Sequence, residues 1–337
     1  MNRKIIQRIS TPKIVCIGGG TGLSTMLRGL KKYTQNVTAI VTVADDGGGS
    51  GILRDELGMP SPGDIRNCIQ ALSNIEPTME KLLAYRFTNG HLKGQSFGNL
   101  FLAAMNGISS SFDEAVSRMG EVLAITGRVL PVTNEDIRLL TEFENGETVI
   151  GESNISAIMR GQSCRIKRVE LVPSLAKALP ESLDAIGSAD MVVLGPGSLY
   201  TSLIPNLLVE GIAEAIEYSD AVKLFVCNIM SQPGETEKYT VSDHINAVFS
   251  HAGRKVFDNC LVNDAVLPEE FLEKYILEGA HQVHIDDGEV EKLGITLHKA
   301  DVANRDSKFV RHNSDALAQE IMRIFRENSP TRIYKDN

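Results

Sequence analysis

The chain has 337 residues, 42% hydrophobic and 23% charged, enough for one large domain or two ordinary ones with a sizeable core. Acids outnumber bases 43 to 34 for a formal charge of −9, a field that repels polyanions and disfavours nucleic acid as a partner. No apolar run approaches the roughly 20 residues of a membrane span. The five scattered cysteines form no C-x-x-C pair, so a cytoplasmic globular protein is expected rather than a disulfide or zinc scaffold.

In chain order, Lys13-Ile14-Val15-Cys16-Ile17 is a short apolar run closed by Gly18-Gly19-Gly20-Thr21-Gly22. A helical pattern through Leu23, Met26, Leu27 and Leu30 follows, then a β-branched run over Val37–Val43. That is a βαβ unit, with parallel strands and a right-handed crossover. Residues 62–126 read as largely helical, with helices over Asp64–Leu72, Thr78–Phe87 and Phe97–Met105 and a capping-box pattern at Ser111–Glu114. Residues 127–172 read as β-rich, with Asn145-Gly146 at a hairpin turn. The α/β alternation then returns, with strands at Met191–Leu194, Val222–Cys227 and Val256–Val262 and helices over Leu203–Tyr218 and Val241–His251. Near-continuous apolar strands belong to a sheet covered on both faces. A last helix over Ser314–Phe325 precedes a polar tail, 326–337. With no linker in evidence, one domain is expected over residues 13–325, carrying a helical and β-hairpin insertion at about 62–172.

The chemistry concentrates where strands end in glycine. The turn Gly18, Gly19, Gly20, Thr21, Gly22 opens a helix, so its backbone N–H groups form a ready phosphate site. It is not a P-loop, because no Lys follows, and Leu23 breaks the G-x-G-x-x-G fingerprint. The second strand ends in Asp45-Asp46-Gly47-Gly48-Gly49-Ser50-Gly51. Asp45 lies where dinucleotide-binding folds place an acid against ribose, and adjacent carboxylates equally suit Mg²⁺ with a diphosphate. Asp64, Arg66 and Asn67 sit in the first turn of a helix; Ser96 and Asn99 flank another. Gly195-Pro196-Gly197-Ser198 follows a buried strand, and Asn228 ends the next. Tyr275 could stack on a base or pack in the core, and Arg311-His312 precedes the last helix where a phosphate contact is open. Two glycine-rich loops at the ends of consecutive parallel strands mark the crevice where open α/β sheets bind ligands.

Taken together, CIGGGTGLS (16–24), VTVADDGGGSGILRDELGMPSPGDIRNCIQALS (41–73), FGNLF (97–101), GPGSLYTSLIPNLLVEGI (195–212) and CNIMSQPGETEKYTVSDH (227–244) resemble the YvcK-type gluconeogenesis factors of the CofD-like superfamily. The resemblance runs from about residue 13 to 325. It implies a Rossmann-like three-layer α/β/α fold with a mainly parallel sheet. It also implies a cytoplasmic factor that affects cell shape and wall synthesis under gluconeogenic growth and binds UDP-sugars such as UDP-N-acetylglucosamine. By motif it places Gly19, Gly20, Thr21, Asp45, Asn67, Ser96, Asn99, Ser198 and Asn228 in one nucleotide crevice and suggests Arg311 beside them. The CofD branch of the superfamily is instead a divalent-metal-dependent transferase with a guanylylated donor, for which Asp45 is the candidate metal ligand. The triple glycine Gly47-Gly48-Gly49 is the YvcK-like form. Three functions therefore compete: a nucleotide-sugar-binding regulator without turnover, a transferase with Asp45, Asp46 and Asp64 around Mg²⁺, and, least favoured, a nicotinamide dehydrogenase. A protein partner in wall synthesis and a homodimer are compatible with the first.

Overall fold

The computed structural model describes residues 11–159, 164–277, 279–305 and 310–329. Seven parallel strands form the central sheet: β1 (Ile14–Gly18), β2 (Val37–Val41), β3 (Arg128–Pro131), β7 (Met191–Leu194), β8 (Val222–Val226), β9 (Asn259–Asn263) and β10 (Thr296–Ala300). Between β3 and β7, a separate antiparallel sheet is built from β4 (Arg138–Phe143), β5 (Thr148–Ile150) and β6 (Ile166–Val172). A two-stranded ribbon, β11 (Ala303–Asn304) and β12 (Arg311–His312), follows β10.

The central order is β3-β2-β1-β7-β8-β9-β10. Strand order therefore reverses between β1 and β7, which pair directly, Ile14 beside Met191 through Ile17 beside Leu194. Right-handed crossovers leaving these two neighbours in opposite directions place their helices on opposite faces and open a crevice between them. Every residue of β1, β2, β7 and β9 is buried, which is why these strands read as continuous rather than alternating apolar runs. By contrast β4 alternates, with Leu139, Thr141 and Phe143 inward, as a sheet with one wet face requires.

From β1 the chain enters helix α1 (Gly20–Leu30), and after β2 it enters α2 (Gly48–Leu57) and α3 (Gly63–Leu72). Next come α4 (Pro77–Ala84), α5 (Phe97–Gly107), α6 (Phe112–Val122), α7 (Glu152–Met159, after β5) and α8 (Pro180–Gly187, before β7). The remaining helices are α9 (Ile204–Leu208), α10 (Ile212–Tyr218), α11 (Val241–Ala252), α12 (Glu269–Leu277), α13 (Asp287–Lys292) and α14 (Ser314–Asn328). Helix α14 packs along α1 so closely that a Cβ on Gly29 would lie 2.1 Å from the Ser314 carbonyl oxygen.

Several expectations need correction. The helix expected over Leu203–Tyr218 is two, because Val209 is extended and Gly211 takes φ 92°, a left-handed turn that suits glycine. The run Gly47–Gly51 is not a loop but the start of α2. The helix expected to reach Phe87 ends at Ala84. The stretch at about 62–172 is not one insertion, since β3 lies within it and joins the central sheet, while β4–β6 form a sheet of their own. At Ser111 the capping box is half made. Its hydroxyl accepts from the Glu114 N–H, but the Glu114 carboxylate turns to the Ser110 N–H instead. The complete reciprocal box is at Thr240 and Asp243, opening α11. Of the expected polar tail, 326–328 continue α14 and 330–337 lie outside the described residues.

Candidate functional site

The crevice at the switch point has a cavity of about 380 Å³, and two glycine turns form its floor. Gly19, Gly20, Thr21 and Gly22 come from the end of β1 and the first turn of α1; Gly197 and Ser198 come from the end of β7. The turns meet because glycine stands at the points where they touch. A Cβ on Gly22 would lie 2.5 Å from the Pro196 carbonyl oxygen, and one on Gly19 2.4 Å from the Asp64 carboxylate. Gly18 and Gly195 end their strands side by side, with Gly195 at φ 78°. The open first turn of α1 presents backbone N–H groups and the positive end of an 11-residue helix to the crevice.

Around that floor stand the walls. Asn228 braces the second turn: its Oδ1 accepts from the Gly197 N–H at 3.3 Å and its Nδ2 donates to the Gly197 carbonyl at 2.8 Å. Tyr275 lines the far side, its hydroxyl accepting from the Val310 N–H at 2.8 Å, which fixes the ring as a flat wall. Arg311 and His312 follow on β12. Thus Gly19, Gly20, Thr21, Gly22, Gly197, Ser198, Asn228, Tyr275 and Arg311, all singled out from sequence, converge on one cavity.

The other candidates do not line it. Asp45, Gly49, Ser50, Asp64, Arg66, Ser96 and Asn99 form a second group behind Gly19. Asp64 packs against Gly19 and takes a hydrogen bond from the Gly20 backbone. Asp45 accepts from the Gly47 N–H at 2.8 Å. Arg66 donates to Asn99 Oδ1 at 3.2 Å, and Asn99 donates to Ser50 Oγ at 3.3 Å, so Arg66 serves this network rather than the crevice. Burial, and then the nearby Arg86, hold the Arg66 guanidinium below its ordinary pKa. Ser96 is the N-cap of α5, accepting from the Asn99 N–H. Gly49 has the Gln95 side chain 2.8 Å from where its Cβ would be. Asn67 is half-buried on α3 and lines neither group's contacts. Asp46, adjacent in sequence to Asp45, points elsewhere: its Oδ1 accepts from the Ser153 N–H at 2.8 Å and so caps α7.

Two acids at the site, Glu152 and Glu235, carry no signal in the sequence. Glu152, at the start of α7, reaches the acids behind Gly19; burial, then the charges of Asp45 and Asp64, push its carboxyl up to about 9. Burial and then Asp45 push Asp64 up to about 7. Glu235 accepts from Ser198 Oγ at 2.6 Å and is raised by burial. The hydroxyls meeting Glu152 and Glu235 come from one π-type turn, Leu199–Leu203, and its cap Ser198, whose carbonyl accepts from the Leu203 N–H at 3.0 Å. That wide turn sends Ser198 to Glu235 and Thr201 to Glu152. Buried Asn206 secures it, donating to the Gly18 and Ser202 carbonyls at 3.0 and 2.7 Å.

The paired acids give a stability prediction. Both carboxyls bind their protons more tightly folded, at about 7 and about 9, than unfolded, near 3.8 and 4.5. The native state therefore holds more protons than the unfolded one from about pH 4 upward, and stability falls with rising pH until the folded values are passed. In denaturant titrations at pH 5 and pH 9, wild type is expected to lose more stability than Glu152→Gln, which cannot ionise. Parallel losses in the two proteins would contradict the placement of Glu152.

Fold and crevice define an α/β protein with Rossmann strand order and a switch-point cavity floored by two apposed glycine turns in place of a single fingerprint. Residues 14–303 match the family described as 2-phospho-L-lactate transferase CofD. A putative gluconeogenesis factor from Thermoanaerobacterium thermosulfurigenes is 55% identical over 314 residues, covering 93% of this chain and 97% of that one. The gluconeogenesis factor of Bacillus subtilis is 46% identical over 317 residues, 94% of this chain and 99% of the relative. A crystal structure of a Bacillus halodurans protein superposes with a TM-score of 0.90 at 46% identity, covering 93% of this chain and all of that one. The chain belongs to the CofD family and, within it, to the gluconeogenesis factors.

Proposed function

We propose that the protein is a regulatory factor that binds a nucleotide sugar of the UDP-N-acetylglucosamine kind in the switch-point crevice and does not turn it over. The observation that carries this reading is the meeting of the two glycine turns beneath Tyr275 and Arg311 in one cavity. A diphosphate suits the backbone donors of α1, the Tyr275 ring offers a base a flat face, and Arg311 adds a cation. Control of cell shape and wall synthesis under gluconeogenic growth, through a wall-synthesis protein partner, is the role proposed for the liganded state. Among the described residues no helix is long and apolar enough to cross a membrane.

A second reading, metal-dependent transfer from a guanylylated donor, is favoured by one observation. Asp64, raised to about 7, lies against the phosphate turn beside Asp45, where a carboxyl titrating near neutrality suits proton transfer. Asp45 and Asp64 would supply Mg²⁺ with two carboxylates, leaving its other positions to ligand phosphate and water. Among the described residues no group of three or more His, Cys, Asp or Glu is arranged to hold a metal by itself. Calorimetric titration with UDP-N-acetylglucosamine and with GDP, each with and without Mg²⁺, separates the readings. Selective, metal-independent uridine binding with the ligand recovered intact is expected. Preference for GDP with a metal requirement, or consumption of the sugar nucleotide, would overturn the regulator.

A further inference from the structure

Most polar groups in the crevice are already spoken for, as the bracing of Gly197 by Asn228 shows. Two are not. The residues His312 and Gln232 line the cavity, and His312 Nε2 and Gln232 Oε1 are buried with no hydrogen-bond partner among the described residues. An orphaned buried acceptor is costly, which makes its persistence at a ligand cavity informative. For His312 the tautomer follows from its surroundings. The ring donates a hydrogen bond to the Cys227 backbone carbonyl; since Nε2 is without a partner, Nδ1 makes that bond and carries the proton. Burial lowers the imidazole to about 4, so it is neutral in the cell and Nε2 offers only a lone pair.

A lone pair repels phosphate oxygens and accepts only from O–H or N–H. Resting on the nucleotide-sugar reading above, we infer that His312 reads the nucleoside: its Nε2 accepts a hydrogen bond from a hydroxyl of the ribose or an N–H of the base. The chain supports that position. Val310 holds the Tyr275 hydroxyl through its N–H, and His312 lies two residues further along the same segment. Two extended residues span about 6.6 Å, the scale of a base with its ribose. A ligand stacked on Tyr275 therefore has its donors within reach of His312, while its diphosphate stays with α1. Gln232, with its own unanswered acceptor, lies in the same wall and favours a ligand rich in donors.

The test compares wild type, His312→Leu and His312→Gln by calorimetry, after thermal melts confirm folding. The probes are UDP-N-acetylglucosamine and its 2′-deoxyuridine and N3-methyluridine versions. The expected result is a tenfold or greater loss for His312→Leu, with His312→Gln within about threefold of wild type because its amide oxygen replaces the acceptor. The analogue lacking the donor that His312 reads binds wild type weakly and loses nothing more in His312→Leu, which tells ribose from base. Equal discrimination among the three ligands by wild type and His312→Leu would overturn the inference alone. So would proton uptake on binding, since it would make the ring a cation for phosphate. A wild type that binds none of the uridine ligands would overturn the nucleotide-sugar reading and this one with it.

Discussion

A Gly22→Ala variant is expected to bind nucleotide sugar at least a hundredfold more weakly, about 2.7 kcal/mol, and to be less stable by roughly 1–3 kcal/mol. The effect is steric. The new methyl would meet the Pro196 carbonyl oxygen at 2.5 Å, its carbon at 2.8 Å and the Gly197 Cα at 3.1 Å. All three are backbone atoms of the facing turn, so no side chain can swing aside. The turns must separate, and the separation falls where the ligand's phosphates would span them. Glycine is needed here for close approach alone, since only Gly20 in this turn has a positive φ, at 67°. Gly48 has open space around the position of a Cβ but takes φ 52°, so an alanine there tests backbone strain without touching the crevice. Unaltered affinity in Gly22→Ala, measured by calorimetry, would show that the ligand does not use the contact between the turns.

The second large effect lies away from the crevice. Arg54→Ala is expected to lower unfolding free energy by roughly 3 kcal/mol. Arg54 is 2% exposed on α2, an unusual place for a guanidinium. It donates to the carbonyls of Ala44, at 3.4 Å, and Ile137, and pairs with Asp136 at 2.5 Å. It thus ties the end of β2, where Asp45 begins its turn, to the strand that opens the antiparallel sheet. Truncation strands two buried carbonyls and leaves a void. Asp136→Asn should cost much less, because that carboxylate is half exposed and water replaces the lost partner. Urea denaturation of both variants checks the order. A loss below 1 kcal/mol for Arg54→Ala would mean that the two sheets hold together without it.

Much of this site was legible because it is local. A continuous apolar run ending in glycines and opening into a helix signals a strand, a turn and a phosphate-binding helix end within a dozen residues, at Gly18–Gly22 and again, more loosely, at Gly195–Ser198. The strands β1, β2, β7 and β9 announced themselves by unbroken burial, and their alternation with helices pointed to a parallel sheet covered on both faces, while the Rossmann-like fold was implied by the family resemblance. What was not legible is non-local. Asp45 and Asp46 are identical in sequence terms, yet one faces Asp64 and the other caps α7, because the chain turns between them. Ser96 and Asn99 read as ligand contacts but cap and brace α5, a role that hydroxyl and amide side chains fill as readily as binding. Glu152 and Glu235 were invisible as site residues, since each is an ordinary acid until the fold brings it beside Asp64 or Ser198. The break at Gly211 was missed because a helical apolar pattern continues through it. Only a left-handed glycine shows where the chain turns.

In the proposed complex the ligand lies across the two glycine turns with its nucleoside toward Tyr275. Amide hydrogen exchange in the presence and absence of UDP-N-acetylglucosamine tests it most directly. Slowed exchange is expected, confined to Gly20–Gly22, Gly197–Ser198 and Val310–His312, with little change over α2, α5 and β4. Protection centred instead on Gly47–Ser50 and Ser96–Asn99 would contradict it and place the ligand behind Gly19, among the acids.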